Sequence, residues 1–318
     1  MWPNPRIPYQ MASARARLEP LRGKPLMVNP VVNIEYWPFD QKMPRGILPP
    51  PHGAQVEPPD LPNYAWVEYG MRCGMPRLFE ALGRRGLKAS AFMNAQCADV
   101  YPTLAKAVVD AGWELVGHGW YQRSLKQVPN EEAEIERCLA RLRELSGRKV
   151  RGWFGAGGGE SMATPDILKR CGVDFIHDWL IDDLPCWMTT ADGPLLCLPY
   201  TWELNDVPIW VVQGQSSDEF LKRLEATLAV LERELDKQPR VLTLALHPHV
   251  IGVPHRTYYL EKALDLLAAR GDTVFVTSSE IADWFLAADR TGRQELEAAL
   301  KARGQCGAAG AVSGRDRS

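Results

Sequence analysis

The stretch "LKASAFMNAQCADVYPTLAKAVVDAGWELVGHGW" at residues 87–120 contains one complete strand–helix–strand unit and decides the fold class. The runs "LKASAFM" (87–93) and "WELVG" (113–117) are short and apolar, as expected for buried strands. Between them, "PTLAKAVVDAG" (102–112) has helical spacing and ends on a glycine, a common helix terminator. Two apolar strands joined by a helix indicate a parallel pair that is covered on both faces.

The same unit recurs along most of the chain. β-type runs alternate with helical patterns from "VNPVVNIE" (28–35) to "SSEIADWFLAA" (278–288). Further strands are predicted at "VRGWF" (150–154), "VDFIH" (173–177), "LLCLP" (195–199), "PIWVV" (208–212), "VLTLALH" (241–247) and "TVFVT" (273–277). We therefore predict an α/β protein, a distorted (β/α) barrel with about seven parallel strands. An open doubly wound sheet is the alternative, but no GxGxxG motif follows an early strand.

The barrel pattern defines three segments. Residues 1–21 are predicted to be an N-terminal extension, residues 22–288 the catalytic barrel domain, and residues 289–318 a C-terminal helix followed by a disordered tail of small polar residues. The Pro- and Gly-rich stretch at 38–64 is too long for a simple connection. We expect it to be a functional loop or lid.

Composition excludes several classes of protein. The 318 residues are 46% apolar and 24% charged, which is typical of a globular chain. The net charge is −2 and basic residues form no block, so no nucleic-acid or membrane partner is expected. The N-terminus lacks the apolar core of a signal peptide, and the seven cysteines form no CxxC pair. These features predict a cytoplasmic protein with reduced thiols.

Polar side chains follow several of the predicted strands. In parallel barrels the chemistry gathers at the carboxyl ends of the strands. A lone histidine after a strand is usually a structural group, but a structural explanation of the whole set is improbable. We therefore predict a catalytic site at this end of the barrel, built from Asn33, Glu35, His118, Arg151, His177, Asp178 and His247.

These positions carry a family resemblance. In order along the chain, "NIE" (33–35), "GHGW" (117–120), "RGW" (151–153), "HDW" (177–179) and "ALHP" (245–248) resemble the motifs of the polysaccharide deacetylase (NodB-type) superfamily. The resemblance is strongest to its allantoinase-like branch, and it extends from about Arg22 to Leu286. It implies a distorted (β/α) barrel and a hydrolase of non-peptide carbon–nitrogen bonds.

The resemblance also implies residue roles. Metal-dependent members of the superfamily use an Asp-x-Asp pair, as base and metal ligand, and two histidines four residues apart. By position in the motifs, Asn33 falls on the base, Glu35 on the metal carboxylate, His118 on the first histidine and Gln122 on the second. The remaining motif positions are Arg151 on the arginine that orients the base, Asp178 on its acidic partner, and His247 on the general acid.

Two of these residues depart from the metal-dependent pattern. The amide of Asn33 cannot take a proton from water. Gln122 offers a neutral oxygen, which is a poor zinc ligand beside imidazole or thiolate. We therefore expect that no cofactor is required and that Glu35, His118 and Gln122 hold a divalent zinc ion weakly or not at all.

Catalytic roles follow from this loss of metal ligands. Glu35 becomes the candidate base, or a ligand of a weak metal that activates water. His118 could hold the water or the oxyanion, and His247 could protonate the departing nitrogen. Arg151 and Asp178 are expected to form a buried pair, with a purely structural pair as the equal alternative.

Substrate contacts are predicted in the same region. Trp120 and Trp153 lie beside motif positions and could stack on a sugar or a planar ureide, although core packing would also explain them. The polar candidates for substrate binding are Asn33, Asp183, Asn205, Asp206 and Arg256. Loop turns would also explain Asp183, Asn205 and Asp206, and Arg256 could instead bind a neighbouring subunit.

The sequence is compatible with two functions. In the first, the protein hydrolyses a small amide, ureide or N-acetylated compound. In the second, it is a catalytically impaired barrel that binds a carbohydrate or a small metabolite. The presence of Glu35, His118 and His247 together favours the hydrolase. The expected partners are a small-molecule substrate and, because of the resemblance, further copies of the chain in a dimer or tetramer.

Overall fold

The computed structural model describes residues 3–46, 57–289, 291–296 and 298. Within these residues the strands form a single sheet. The strands are β1 (Leu26–Ile34), β2 (Ser90–Met93), β3 (Glu114–Gly117), β4 (Gly152–Trp153), β5 (Phe175–Ile176), β6 (Cys186–Thr190), β7 (Gly193–Cys197), β8 (Arg240–Leu246) and β9 (Thr273–Phe275). The helices are α1 (Leu61–Tyr69), α2 (Met75–Gly83), α3 (Cys97–Val100), α4 (Pro102–Asp110), α5 (Glu131–Ser146), α6 (Thr164–Arg170), α7 (Glu219–Leu231), α8 (Pro254–Ala268) and α9 (Ser278–Ala288).

The sheet is curled and its order is β6-β7-β5-β4-β3-β2-β1-β8, with β9 also paired to β1. Every pairing is parallel except that of β6 with β7. The predicted α/β barrel class is confirmed. In the described residues, the strands from β6 to β8 form a half-barrel, and the helices pack on its outer face.

Strand β1 is the centre of this sheet. It pairs with β8 along Leu26–Val32, with β9 along Leu26–Val28, and with β2 along Val31–Ile34. All nine of its residues are buried, which explains why the segment is apolar without alternation. The carboxyl end of β1 therefore lies between those of β2 and β8.

Two layers of core cover the sheet. Inside the curl, an aromatic cluster contains Val31, Phe92, Val116, Phe154, Tyr200 and Ala245. The larger outer core joins the strands to the helices. His177 also lies inside, with its ring nitrogens 3.0 Å from Ser278 Oγ and 3.2 Å from Pro199 O. Burial lowers the pKa of His177 to about 3, so its expected place in the catalytic site is wrong and it is a neutral core residue.

One predicted strand is wrong. "PIWVV" lies in a wide helical turn, Val207–Val212, instead of a strand. Pro208 has no N–H for a sheet ladder, and the Trp210 ring stacks on Phe220 of α7 with centroids 6.0 Å apart. Sequence analysis also missed β6, the antiparallel strand that precedes β7.

The segments outside the barrel are only partly described. Within 1–21, Arg6 pairs with Asp166 at 2.7 Å and Arg15 pairs with Asp182 at 2.9 Å, so the extension packs on the barrel. In the expected lid at 38–64, residues 47–56 lie outside the described residues, as does most of the tail at 289–318. Of the helices that are described, none has the length and apolar character needed to cross a membrane.

Two glycines fix the loop that follows β8. Helix α1 continues into α2 through a wide turn at Gly70–Gly74. A Cβ atom on Gly70 would lie 2.4 Å from His249 N, and one on Gly74 would lie 2.1 Å from Pro248 O. Only residues without a side chain allow this backbone-to-backbone contact. The contact positions the loop that begins at His247.

We expect Gly74→Ala to lower the free energy of unfolding by about 1–3 kcal/mol, because the added methyl group meets backbone that cannot rotate away. Gly83→Ala, at the end of the following helix α2, is the matched control. Nothing lies within 4 Å of its Cβ position, and we expect it to stabilise by about 0.5–1 kcal/mol. Urea denaturation of both variants measures the difference. Equal stability of the two would contradict the close contact.

Candidate active site

The carboxylate of Glu35 is the centre of the candidate site. Glu35 follows β1 directly and is only 2% exposed. Trp37 Nε1 donates to its Oε2 at 2.8 Å, and Gln122 Nε2 donates to its Oε1 at 2.9 Å. The imidazoles of His247 and His118 are also close, with Nε2 atoms 3.4 Å and 3.7 Å from Oε1. We call Asn33, Glu35, His118, Gln122 and His247 the Glu35 site.

This environment keeps Glu35 ionised. Burial on its own raises the pKa of the carboxyl group. The hydrogen bond and charge of the His247 imidazole and the positive charge of Arg45 oppose burial, and the pKa lies well below its ordinary value. Glu35 is therefore available as a proton acceptor throughout the neutral range.

His247 is held by both oxygens of Asp206. Its backbone N–H and its Nδ1 atom each lie 2.6 Å from a carboxylate oxygen of Asp206. Burial lowers the pKa of His247, but the charges of Asp206 and Glu35 more than offset it and raise the pKa to about 9. The cationic ring then directs its second N–H, on Nε2, towards Glu35. Asp206, predicted as a substrate contact, instead positions this histidine.

His118 presents an unprotonated nitrogen to the site. Its Nδ1 atom lies 2.6 Å from the carbonyl oxygen of Phe154, and because a carbonyl only accepts, Nδ1 carries the proton in the neutral ring. Nε2 then has a free lone pair, and it has no hydrogen-bond partner in the described part of the chain. The Phe154 ring stacks on the imidazole with centroids 5.4 Å apart and fixes its plane.

Two amides expose their oxygens in the same way. Gln122 Nε2 faces the carboxylate of Glu35, which fixes the orientation of the amide. Asn33 Nδ2 donates to Leu246 O at 3.4 Å and to the Tyr200 hydroxyl at 3.2 Å. Gln122 Oε1 and Asn33 Oδ1 are left buried and unpartnered among the residues that the structure covers. With His118 Nε2, the site contains three free acceptor atoms.

These residues do not fit a tightly held zinc ion. His118 supplies the one nitrogen ligand of the predicted set, whereas structural zinc sites use several thiolates or imidazoles. The Glu35 oxygen that would bind zinc already faces the N–H groups of Gln122 and the cationic ring of His247. In the described ranges, no three His, Cys, Asp or Glu side chains are grouped as metal ligands. A divalent cation would meet N–H donors and a positive charge there.

Two predicted site residues lie at the opposite end of the barrel. Arg151 precedes β4, and its guanidinium pairs with Asp174 and Asp283, each at 2.7 Å. The expected Arg151–Asp178 pair is therefore wrong. Asp183 has a side chain that is 71% exposed, and its carbonyl accepts from Val241 N at the start of β8. Both residues are near the amino ends of the strands, away from Glu35.

The two predicted aromatic contacts are also misplaced. Side chains alternate along β4, so Trp153 faces α5, and its ring lies against Gly117 in the outer core. Trp120 packs in the same core with the Arg137 guanidinium 3.4 Å from its ring centroid. Phe154, the next residue after Trp153, borders the site instead through its contact with His118.

The other candidates lie near the site in different roles. Asp178 accepts from Gly155 N at 2.7 Å, and burial together with the charge of Glu160 raises its pKa well above the ordinary value. Asn205 donates to the Tyr200 hydroxyl at 3.3 Å. Arg256 lies over the Trp210 ring, 4.8 Å from its centroid, and donates to Val250 O. The catalytic roles of the predicted residues stay predictions.

The hydrogen-bonding roles of several contributors are absent from the predictions, and some of these residues left a signal in the sequence. Trp37 is two residues after Glu35 and so lies on the same face of the extended chain. Asn94 follows β2, accepts from Tyr36 N and donates to His118 O, and its position after a strand could have indicated it. Tyr200 directly follows the predicted strand "LLCLP" (195–199). The carbonyl of Phe154 left no signal, because any residue supplies one.

Known proteins resemble this chain in sequence and in fold. Residues 62–176 match the family model "Polysaccharide deacetylase". A putative polysaccharide deacetylase of Schizosaccharomyces pombe is 26% identical over 236 residues, 68% of this chain and 73% of that protein. The crystal structure of a probable polysaccharide deacetylase from Pseudomonas aeruginosa has a TM-score of 0.75 at 26% identity and covers 82% of this chain and 91% of that one. The resemblance found in the motifs is confirmed.

A second solved structure shares the fold. The Puue allantoinase structure has a TM-score of 0.75 and is 24% identical, covering 90% of this chain and 95% of that chain. At this identity the likeness concerns the arrangement of the barrel.

We expect purified protein to contain well under one equivalent of zinc, because the Glu35 site offers a cation one imidazole and a carboxylate already occupied by N–H donors. Elemental analysis of protein prepared without chelator tests this. Stoichiometric zinc that is lost in a Glu35→Gln, His118→Ala double variant would contradict it, whereas zinc retained by that variant would place the metal elsewhere.

Proposed function

We propose that the chain is a hydrolase of non-peptide carbon–nitrogen bonds of the polysaccharide deacetylase superfamily, and that it acts on a small amide rich in N–H groups. The match of residues 62–176 to the family model and the shared fold support this proposal. A ureide is the best candidate, and an N-acetylated compound is the alternative within the same reaction type.

The three free acceptor atoms carry this proposal. Asn33 Oδ1, His118 Nε2 and Gln122 Oε1 are buried without partners in the described residues, so a bound molecule that donates hydrogen bonds would satisfy them. A ureide presents several N–H donors on one rigid plane. An N-acetyl group presents one N–H, and its sugar would have to supply the other donors as hydroxyls.

Burial supports a small substrate. Glu35, His118 and Asn33 are at most 2% exposed, so the reacting group must enter a closed site. The motif Asn33-Ile34-Glu35, together with a glutamine at position 122, resembles the allantoinase-like branch of the superfamily. This resemblance also supports a small ureide as the substrate.

The geometry supports hydrolysis by a general base and a general acid. Glu35 accepts a proton from water while the water oxygen bonds to the carbonyl carbon. The C–N bond then breaks, and His247 Nε2 gives its proton to the leaving nitrogen. Because His247 Nε2 and Glu35 Oε1 are 3.4 Å apart, the proton taken by Glu35 can return to His247 and restore the starting state.

We also propose a cytoplasmic location and a homo-oligomeric assembly. The six described cysteines are free thiols, which supports a reducing compartment such as the cytoplasm. The superfamily resemblance supports a homo-oligomer.

A substrate panel tests the proposed function. We expect chelator-treated protein to release a ureido product or ammonia from allantoin and related ureides faster than it releases acetate from N-acetylglucosamine. Faster release of acetate would overturn the preference for ureides. Binding of these compounds without turnover of any of them would favour the binding protein over the hydrolase.

The pH dependence of kcat/KM should follow His247. Its protonated form is the acid and its pKa is raised to about 9, so activity should hold through neutral pH and fall above about pH 9. Activity should be lost at low pH when Glu35 takes up a proton. Because the pKa of Glu35 is lowered, this acid limb should lie below the ordinary carboxyl range. Asp206→Asn should move the alkaline limb to lower pH, because it removes the charge that stabilises the cation.

His247→Ala should remove the alkaline limb and lower the rate by about 10²–10⁴-fold. The matched control is His255→Ala, which changes an exposed histidine of α8 and should leave the profile unchanged. An alkaline limb that persists in His247→Ala would show that another group is the acid.

A further inference from the structure

Tyr200 is a tyrosine inside the barrel whose position is fixed on all sides. It follows β7, is 3% exposed, and its ring stacks on Phe154 and Phe92 with centroids 4.6 Å and 5.9 Å apart. The ring cannot turn away from this stack without opening the aromatic cluster. Its hydroxyl therefore has one position, beside Asn33 of the Glu35 site.

Both lone pairs of this hydroxyl are used by N–H donors. Asn33 Nδ2 donates to it at 3.2 Å and Asn205 Nδ2 donates to it at 3.3 Å. Backbone groups fix both amide orientations. Asn33 Nδ2 also faces the carbonyl of Leu246, which only accepts, and Asn205 Oδ1 receives the N–H of Val207 at 2.9 Å. Neither amide can be reversed without losing a backbone hydrogen bond.

The hydroxyl hydrogen of Tyr200 consequently has no acceptor among the described residues. A phenol has one donor and two acceptor positions, and the two acceptor positions are filled. Among the residues described, the hydroxyl donates no hydrogen bond, so its hydrogen is available to a molecule bound in the Glu35 site. Burial, with the charges of Asp206 and Glu35, raises the pKa of Tyr200, so the phenol keeps this hydrogen at working pH.

We propose that the Tyr200 O–H donates to the carbonyl oxygen of the substrate and stabilises the oxyanion of the tetrahedral intermediate. This inference rests on the proposed hydrolysis. When the water oxygen bonds to the carbonyl carbon, the C=O π electrons move to the oxygen, and the proton of the water goes to Glu35. The Tyr200 hydrogen bond strengthens as that negative charge forms. It weakens again when the C–N bond breaks and His247 protonates the nitrogen.

Asn33 and Asn205 are then positioning residues. By donating to the hydroxyl oxygen, they occupy its acceptor positions and leave its hydrogen for a bound substrate. This gives a reason for an asparagine at position 33, where the resemblance implies a catalytic aspartate. A carboxylate there would accept the Tyr200 hydrogen itself, and the donor would be lost to the substrate.

The test compares kcat and KM of three variants on the best substrate of the panel. Tyr200→Phe removes only the hydroxyl, and we expect kcat to fall about 10²–10³-fold with KM changed by less than about threefold, as for other single oxyanion donors. The two limbs of the pH profile should not move. Asn33→Asp should lower kcat similarly, although it preserves size and an acceptor oxygen. Tyr258→Phe, an exposed tyrosine of α8, is the control and should change neither constant.

The outcomes separate this inference from the proposed function. An active wild-type enzyme whose kcat is unchanged in Tyr200→Phe overturns the oxyanion role alone. So does a Tyr200→Phe variant that loses melting temperature in proportion to its activity, because that pattern indicates a structural role. An Asn33→Asp variant more active than wild type would show that position 33 takes the base role, and it would overturn the positioning argument. A wild-type protein that turns over nothing in the panel overturns both proposals.

Discussion

The buried charge of Glu35 is the constraint on which the site depends. An ionised carboxylate that is 2% exposed is unstable unless N–H donors or positive charges replace the lost water. Here three parts of the chain supply them: Trp37 after β1, Gln122 after β3 and His247 after β8. These side chains provide the compensation within the described part of the chain. The same donors that stabilise the charge leave Glu35 free to accept a proton from a bound water.

The central place of β1 in the sheet makes this compensation possible. Because β1 pairs with β2 on one side and β8 on the other, segments from different parts of the chain meet at its carboxyl end. The glycine contacts at Gly70 and Gly74 hold the loop after β8 against α1 and α2. Asp206 then orients the His247 ring through two hydrogen bonds. Strand order therefore sets which residues can meet, and backbone contacts set the orientation in which they do so.

Sequence reasoning located the residues that follow long strands and failed where local geometry decides. Asn33 and Glu35 lie at the end of β1, His118 directly follows β3 and His247 directly follows β8, and parallel strands bring such positions to one edge. Arg151 precedes β4 and Trp153 is its last residue. In a strand of two residues, a shift of one residue reverses the direction of every side chain. The role of Tyr200 depends on how many lone pairs of one oxygen are occupied. That count needs the positions of Asn33 and Asn205 in space, and no sequence pattern contains them.

Protein groups hold the pKa of the buried Glu35 carboxyl group well below its ordinary value. The most direct test is the carboxyl ¹³C shift of Glu35 as a function of pH in protein shown to be free of metal, with the resonance assigned by its absence in Glu35→Gln. We expect Glu35 to keep the ¹³C shift of an ionised carboxylate at pH values below the ordinary glutamate pKa of about 4.3. A Glu35 that titrates at or above that value in metal-free protein, and becomes ionised only when zinc is added, would contradict it.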